Sequence, residues 1–389
     1  MDSPPSRSAP ELVARAHALA PVLAAEAAES ERLRRPTDSA IEALRDSDVL
    51  RLMVPRRHGG HELDLDTYLE VGLALGAGDA SLAWIATFYI EHNWMLCQFP
   101  ETFQDELFGD RGYVLAPAAL APKGVAARVE GGFQLSGRWQ WGTGVMHADW
   151  VIVGARAEGE GAVPGFRFLA LPRHEVVVED TWFVDGMAGT GSNDILIDGV
   201  TVPAERSVSI VDMSAGRAHG AALHPGPLYR TPMLPILCLA AAMPAVAQAR
   251  AAVGSSLERM KGRVLYGSGA TQAEKPASQM RLARADIEAR QAERLLRGVV
   301  EEVLELRDQA SVADRARWAA ASAMAVDQSR RVLLSLAEAS GASAHFLHDP
   351  LQRAVRDVNV AASHVVFDLD ARLEIHGRTL LGLDPGGMV

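Results

Sequence analysis

The residue types best suited to chemistry crowd into RWQWGTGVMHADW, residues 138–150, which holds three of the seven tryptophans of a chain only 6% aromatic. If a strand runs through this stretch as far as Gly144, alternation puts Trp139, Trp141 and Thr143 on one face. The glycines flanking Thr143 let a planar group approach the backbone, and an indole can cover an aromatic ring by stacking. Two indoles and a hydroxyl on one surface would suit a flat heteroaromatic cofactor. The competing reading makes Trp139 and Trp141 caps on a β-sheet core. His345 and His348 have metal-ligand spacing, but with no third ligand near them they read as loop or surface residues. Cys97 and Cys238 are the two cysteines. They are too few for a disulfide framework, lie in apolar surroundings, and read as buried thiols of a reducing cytoplasm.

Such residues need a scaffold, and the periodicity divides the 389 residues into three. Residues 1–112 read as a helical domain: ELVARAHALAPVLAAEAAESERLRR, the capped TDSAIEALRDSDVL, and two apolar helices in DLDTYLEVGLALGAGDASLAWIATFYIEHNWML. Residues 113–214 change to short β-rich runs broken by glycine, from VAARVE through FQLSGRWQW and WVIVGAR to DILIDGVTV. Residues 215–389 return to helical spacing and read as an antiparallel four-helix bundle whose last member is LQRAVRDVNVAASHVVFDLDARL. A hydrophobic content of 48% is ample for a core, and a net charge of −11 opposes binding to nucleic acid or anionic lipid. The start MDSPPSRSAP has no apolar signal core. The longest apolar run, PILCLAAAMPAVA, is short for a membrane span and is interrupted by Pro244. The expectation is a soluble protein.

Helices, then a β-domain, then a four-helix bundle resemble the acyl-CoA dehydrogenase architecture, and motifs fall in that family's order along nearly the whole chain. LRLMVPRRHGG resembles its "VP…GG" turn. WQWGTGVMHADW resembles its W-x-T-N-G segment, whose hydroxyl residue, here Thr143, approaches flavin N5. DTWFVDGMAGTGSNDILIDGVTVP resembles the end of its β-domain. RVLYG, residues 263–267, resembles the R-x-x-F-G whose arginine pairs with cofactor phosphate, commonly across a subunit interface, and Gln279 stands where a family glutamine follows. LQRAVRD, residues 351–357, resembles the R-x-x-R-D of the last bundle helix. A dehydrogenase of this family also needs a carboxylate to remove the α-proton. The positions after Arg356 and Asp357 hold His364 and Val365 instead, and residues 231–257 contain no acid.

The altered positions resemble the flavin-dependent monooxygenase branch of the fold, the oxygenase components of two-component systems. DASLAWIATFYIEHNW resembles that branch's helix leading to a pocket histidine, here His92; DGMAGTGS resembles its G-x-x-G-T-G-S; GRTLLGLDPGGMV resembles its C-terminal tail; and His364 matches a histidine on its last long helix. The resemblance implies that a separate flavin reductase supplies reduced FMN or FAD, which reacts with O2 to give a C4a-hydroperoxide that hydroxylates a phenolic, sizeable aromatic substrate. It further implies a homotetramer. Thr143 would hydrogen-bond flavin N5, with Trp139 and Trp141 excluding water. Ser192 and the amides of Thr190 and Gly191 would add hydrogen bonds, and Arg263 with Gln279 would serve the phosphate end. His364, or else His92, would take the phenol proton. Blander readings stand beside these: an i,i+4 polar pair of His364 with Asp368, a core His92, a helix-end Arg263. Phe88, Trp94, Met146 and Phe346 are further pocket candidates. An N-oxygenase acting on amino sugars, an acyl-CoA dehydrogenase and a non-enzymatic flavin-binding scaffold are the alternative functions.

Overall fold

The computed structural model describes residues 7–109, 111–158, 165–267, 269–387 and 389. The first six residues of the polar start, and Met388 of the tail motif, lie outside the described residues.

The chain opens with five helices: α1 (Ala9–Leu33), α2 (Asp38–Asp46), α3 (Leu65–Gly76), α4 (Ala80–Leu96) and α5 (Glu101–Phe108). Their starts follow from the side chains that satisfy free amides there. Ser8 and Glu11 form a capping box on α1, while Thr37, Asp64 and Asp79 accept from the first turns of α2, α3 and α4. Every residue of α4 is buried. Tyr89, Glu91 and His92 are its ionisable groups, so any polar function on this helix is enclosed by construction.

Seven strands follow: β1 (Ala118–Val129), β2 (Gly132–Gly142), β3 (Trp150–Glu158), β4 (Gly165–Pro172), β5 (Val177–Glu179), β6 (Asn193–Pro203) and β7 (Ser207–Ser209). They form one sheet in the order β5-β6-β2-β1-β3-β4-β7, antiparallel throughout except for the parallel pair β1 and β3. The sheet has its own apolar cluster, including Phe133, Leu135, Trp139, Val151 and Ile195, separate from the larger core that joins the helices.

Two short helices, α6 (Ile210–Ser214) and α7 (His219–Leu223), lead to the bundle of α8 (Met233–Gly262), α9 (Pro276–Leu306) and α10 (Val312–Ser340). The apolar α8 is long enough to cross a membrane, yet 89% of its most apolar window is buried inside the protein. It is the central core helix, packed on α3, α4, α9 and α10. Cys97 and Cys238 are free and buried, as their surroundings predicted. The fourth bundle member departs from expectation. LQRAVRDVNVAASHVVFDLDARL is not one helix but two, α11 (Pro350–Ala361) and α12 (Leu369–Leu380), separated by a turn that contains the 3-10 segment Val365–Phe367. His364 caps the 3-10 segment and Asp368 caps α12, so side chains that compete for backbone amides break the helix where its hydrophobic period continues.

Candidate functional site

The end of β2 breaks the alternation on which the sequence expectation rested. Pairing with β6 shifts register between Trp139 and Gly142, and Trp141 takes φ +73°. A left-handed backbone at a bulky residue is a strained conformation that neighbouring structure must hold. The two indoles therefore part company. Trp139 is 1% exposed and donates its N–H to the Gly154 carbonyl at 2.6 Å, while Trp141 is 56% exposed. Trp139 fills the sheet core closely enough that a Cβ at Gly124 would lie 2.0 Å from its ring. The shared face is thus overturned, and Trp139 belongs to the sheet core.

Past the bulge Thr143 turns inward and meets α4. Its Oγ1 accepts the Trp84 indole N–H at 3.3 Å and lies 3.0 Å from Ser192 Oγ, which is 2.7 Å from Thr190 Oγ1. The Thr190 hydroxyl donates to the Met187 carbonyl at 2.8 Å, and the Thr190 carbonyl accepts from Gly144 N–H at 2.9 Å. Three hydroxyls from two loops thus form one buried, mutually bonded row. The amides of Thr190 and Gly191 are not offered to a ligand, because they donate to the Met187 and Ala188 carbonyls within the 3-10 turn Ala188–Thr190. This corrects the role expected of them.

From Trp84 a stripe at i, i+4 spacing runs along α4 through Phe88 to His92, with ring centroids 4.8 Å and 5.4 Å apart. His364 packs edge-on against Trp84 at 5.6 Å and near Phe88 at 6.5 Å. The structure therefore brings Thr143, Ser192, Thr190, His364 and His92 to one locality. His364 makes no helical pair with Asp368, which is occupied in capping α12. Its Nδ1 faces the Val366 N–H at 3.4 Å, an arrangement that leaves the neutral ring's proton on Nε2. Burial, and then the Arg372 charge, push its pKa down to about 4, so the ring is neutral near pH 7. In this tautomer Nε2 donates; a His364 acting as proton acceptor through Nε2 would need the opposite one. His92 has the complementary arrangement. Its Nδ1 lies 2.7 Å from the Ala116 carbonyl, so the lone pair is on Nε2, and burial pushes the ring down to about 3.

The sequence reading missed Trp84, the donor that fixes Thr143, and Glu91. Glu91 is wholly buried, its carboxyl is 3.2 Å from His92 Nε2, and neither of its oxygens has a hydrogen bond. Burial raises its pKa well above the carboxylate range. Its signal was available as the single acid of a mostly apolar helix. Of the other pocket candidates, Phe88 lines the site; Trp94 is buried with its N–H on the Leu228 carbonyl, and Met146 and Phe346 are exposed.

Arg263 and Gln279 are not brought to this locality. Ala240 of α8 accepts the Thr87 hydroxyl beside the site, and roughly 35 Å of helix, at about 1.5 Å per residue, separates it from Arg263. There the Arg263 guanidinium donates to the Ser340 carbonyl at 2.6 Å, and the exposed Gln279 donates to the Ala273 carbonyl. The residues at the hydroxyl row fit the ring end of a flavin. Hydroxyls that both donate and accept match a ring edge whose nitrogen changes protonation with redox state, and the strained Trp141 presents an uncovered indole nearby. Arg263 of the same chain stands far from this row, with its guanidinium on the Ser340 carbonyl.

Residues 239–369 match the family model "Acyl-CoA dehydrogenase, C-terminal domain". The chain is 35% identical to a pigment production hydroxylase of a Rhodococcus species, across 96% of this chain and 97% of that one. It is 32% identical to the oxygenase component of an FADH2-dependent resorcinol hydroxylase of a Rhizobium species, across 97% and 95%. The crystal structure of the HsaA monooxygenase from M. tuberculosis superposes with a TM-score of 0.92 at 30% identity, covering 98% of this chain and all of that one. With the hydroxyl row and the histidines in place of a dehydrogenase carboxylate, the chain belongs to the flavin-dependent monooxygenases of acyl-CoA dehydrogenase fold, the oxygenase components of two-component systems.

Proposed function

We propose that this oxygenase component hydroxylates a phenolic aromatic substrate, using O2 and reduced FMN or FAD delivered by a separate reductase. The observation that carries the reading is the buried row Thr143, Ser192 and Thr190, fixed by the Trp84 indole one ring away from a neutral, partly accessible His364. When bound, reduced flavin supplies the activation of O2 that lets one oxygen atom reach the aromatic ring. Thr143 holds the flavin's reactive edge, with Trp84 N–H fixing its lone pair and Ser192 its hydroxyl direction. Trp84 and Phe88 keep the locality dry, which limits loss of the oxidising equivalent as hydrogen peroxide. His364 Nε2–H donates to the oxygen of a substrate bound as its phenolate, the proton having been given up to solvent before binding, and so stabilises the anion whose ring carbon beside that oxygen is the nucleophile.

The same reading extends to assembly. Arg263 and Gln279 of one copy serve the flavin phosphate of a neighbour in a homotetramer, which accounts for their distance from the site in their own chain. The test of the site reading is Thr143→Val, which keeps the shape and removes the hydroxyl. With saturating phenol and reduced FMN, hydrogen peroxide should rise at the expense of product, lowering the product-to-peroxide ratio by about tenfold, the scale of one lost hydrogen bond in a dry site. An unchanged ratio would remove Thr143 from the flavin edge.

A further inference from the structure

The R-x-x-R-D motif of α11 is absorbed neither by flavin nor by substrate, yet its last residue sits at a joint. Asp357 is buried; Oδ1 accepts the Met187 N–H at 2.6 Å and Oδ2 accepts the Ser81 hydroxyl at 3.1 Å. Met187 has φ +57° and opens the 3-10 turn whose Thr190 and Ser192 hydroxyls complete the row with Thr143. Its carbonyl also accepts from Thr190 Oγ1 and from the Trp182 indole at 3.0 Å. Ser81 lies one helical turn before Trp84, whose indole holds Thr143. His364 follows on the segment leaving α11. The approach is close: a Cβ at Gly186 would lie 2.2 Å from the Arg356 carbonyl oxygen.

We propose that Asp357 is a positioning residue that registers the Thr190–Ser192 turn, the Trp84 end of α4 and the His364 segment against one another. The inference rests on reading the hydroxyl row as the flavin-facing edge. Its physical basis is that the left-handed Met187 amide donates to this carboxyl, so without it the strained turn can relax and carry Ser192 away from Thr143. The charged groups around the joint are Asp79, the cap of α4, and Arg353, 3.4 Å from it, with Glu31 of α1 bridged to Arg353 and Arg356. Burial, and then the Asp79 charge, push the Asp357 pKa up.

The test compares Asp357→Ala, Asp357→Asn and Ser81→Ala with the parent. It measures product-to-peroxide ratio, kcat and KM for phenol, anaerobic affinity for reduced FMN, and melting temperature. Asp357→Ala should lower the ratio and kcat by about tenfold and weaken reduced FMN several-fold, with KM for phenol little changed. Asp357→Asn offers a carbonyl to Met187 N–H and an amide to the Ser81 hydroxyl, and should recover most of that loss; Ser81→Ala should fall between. If the parent couples and binds flavin but Asp357→Ala matches it well below the melting temperature, the positioning role is overturned alone. Equal damage in Asp357→Asn and Asp357→Ala, tracking melting temperature, would also overturn it. A parent that binds no reduced FMN would bring down the functional reading and this inference with it.

Discussion

At its two ends α8 serves regions built on opposite plans. Beside Ala240 the polar groups are enclosed and, apart from Glu91 and His92 Nε2, answered within one chain: Thr87 on Ala240, Trp84 on Thr143, Thr143 with Ser192. Around Arg263 the chain is open. Val264, Tyr266, Met280, Phe346 and Leu347 are exposed, and a cleft of about 460 Å³ runs between Val253, Leu257, Met260 and Leu282, with Gln279 on its wall. The difference teaches how the work is divided. On the proposed reading, the half that stays dry and geometrically fixed is complete in a single copy, whereas the half that would meet a cofactor tail lies on an exposed apolar surface of the kind that second copies cover.

The sharpest way to break this division is at His364. His364→Ala should slow hydroxylation by about 10²-fold or more, the scale of losing a group that acts on the reacting atoms, while oxygen consumption continues as hydrogen peroxide. The pH profile refines the claim. Because burial and Arg372 hold the ring down to about 4, it stays neutral as pH falls from 7.5 to 5.5, and the product-to-peroxide ratio at saturating substrate should not fall with a midpoint near 6.5. A loss with that midpoint would mean that His364 titrates like a solvent-exposed imidazole.

Arg263→Gln probes the open end. Reduced flavin should bind about tenfold more weakly, the usual worth of a charge-assisted contact, while the flavin that does bind transfers oxygen with the parental ratio. Unchanged affinity in an assembled protein would detach Arg263 from the cofactor. The smallest effects should separate the two indoles of one strand. Trp139→Phe should cost roughly 1–3 kcal/mol of stability through its lost N–H bond and the cavity left beside Gly124, with flavin affinity unaltered. Trp141→Phe should change stability by less than about 0.5 kcal/mol, as exposed substitutions do, and weaken flavin a few-fold. Thermal melts and anaerobic titrations read both, and a reversed pattern would return Trp139 to the cofactor surface.

What could be read from the sequence divides along the same physical line. Helices, strands and the family resemblance rested on patterns that extend over many residues, and they carried the fold and the family. The site's inner geometry rested on single backbone events that no period records. One left-handed residue, Trp141, reversed the face of an indole. Val365 and Val366 continued the hydrophobic rhythm through residues where the helix in fact stops, hiding the cap that orients His364. Trp84 and Asp357 lie far from Thr143 in sequence and meet the row only through tertiary contacts. Glu91 was visible as an isolated acid, but nothing in the sequence announced that its carboxyl would be wholly buried without a hydrogen bond.

The use of a separately reduced flavin to place one atom of O2 on an aromatic ring follows from the family and the site together. It is tested most directly by turnover under ¹⁸O2 with a panel of phenols, NADH, free FMN or FAD and an unrelated flavin reductase, the products being weighed by mass spectrometry. The account predicts a hydroxylated product carrying one ¹⁸O, formed only when reduced flavin is supplied and lost in favour of hydrogen peroxide in His364→Ala. Product oxygen derived from water, or desaturation of an acyl thioester with no oxygen incorporated into any phenol, would contradict it.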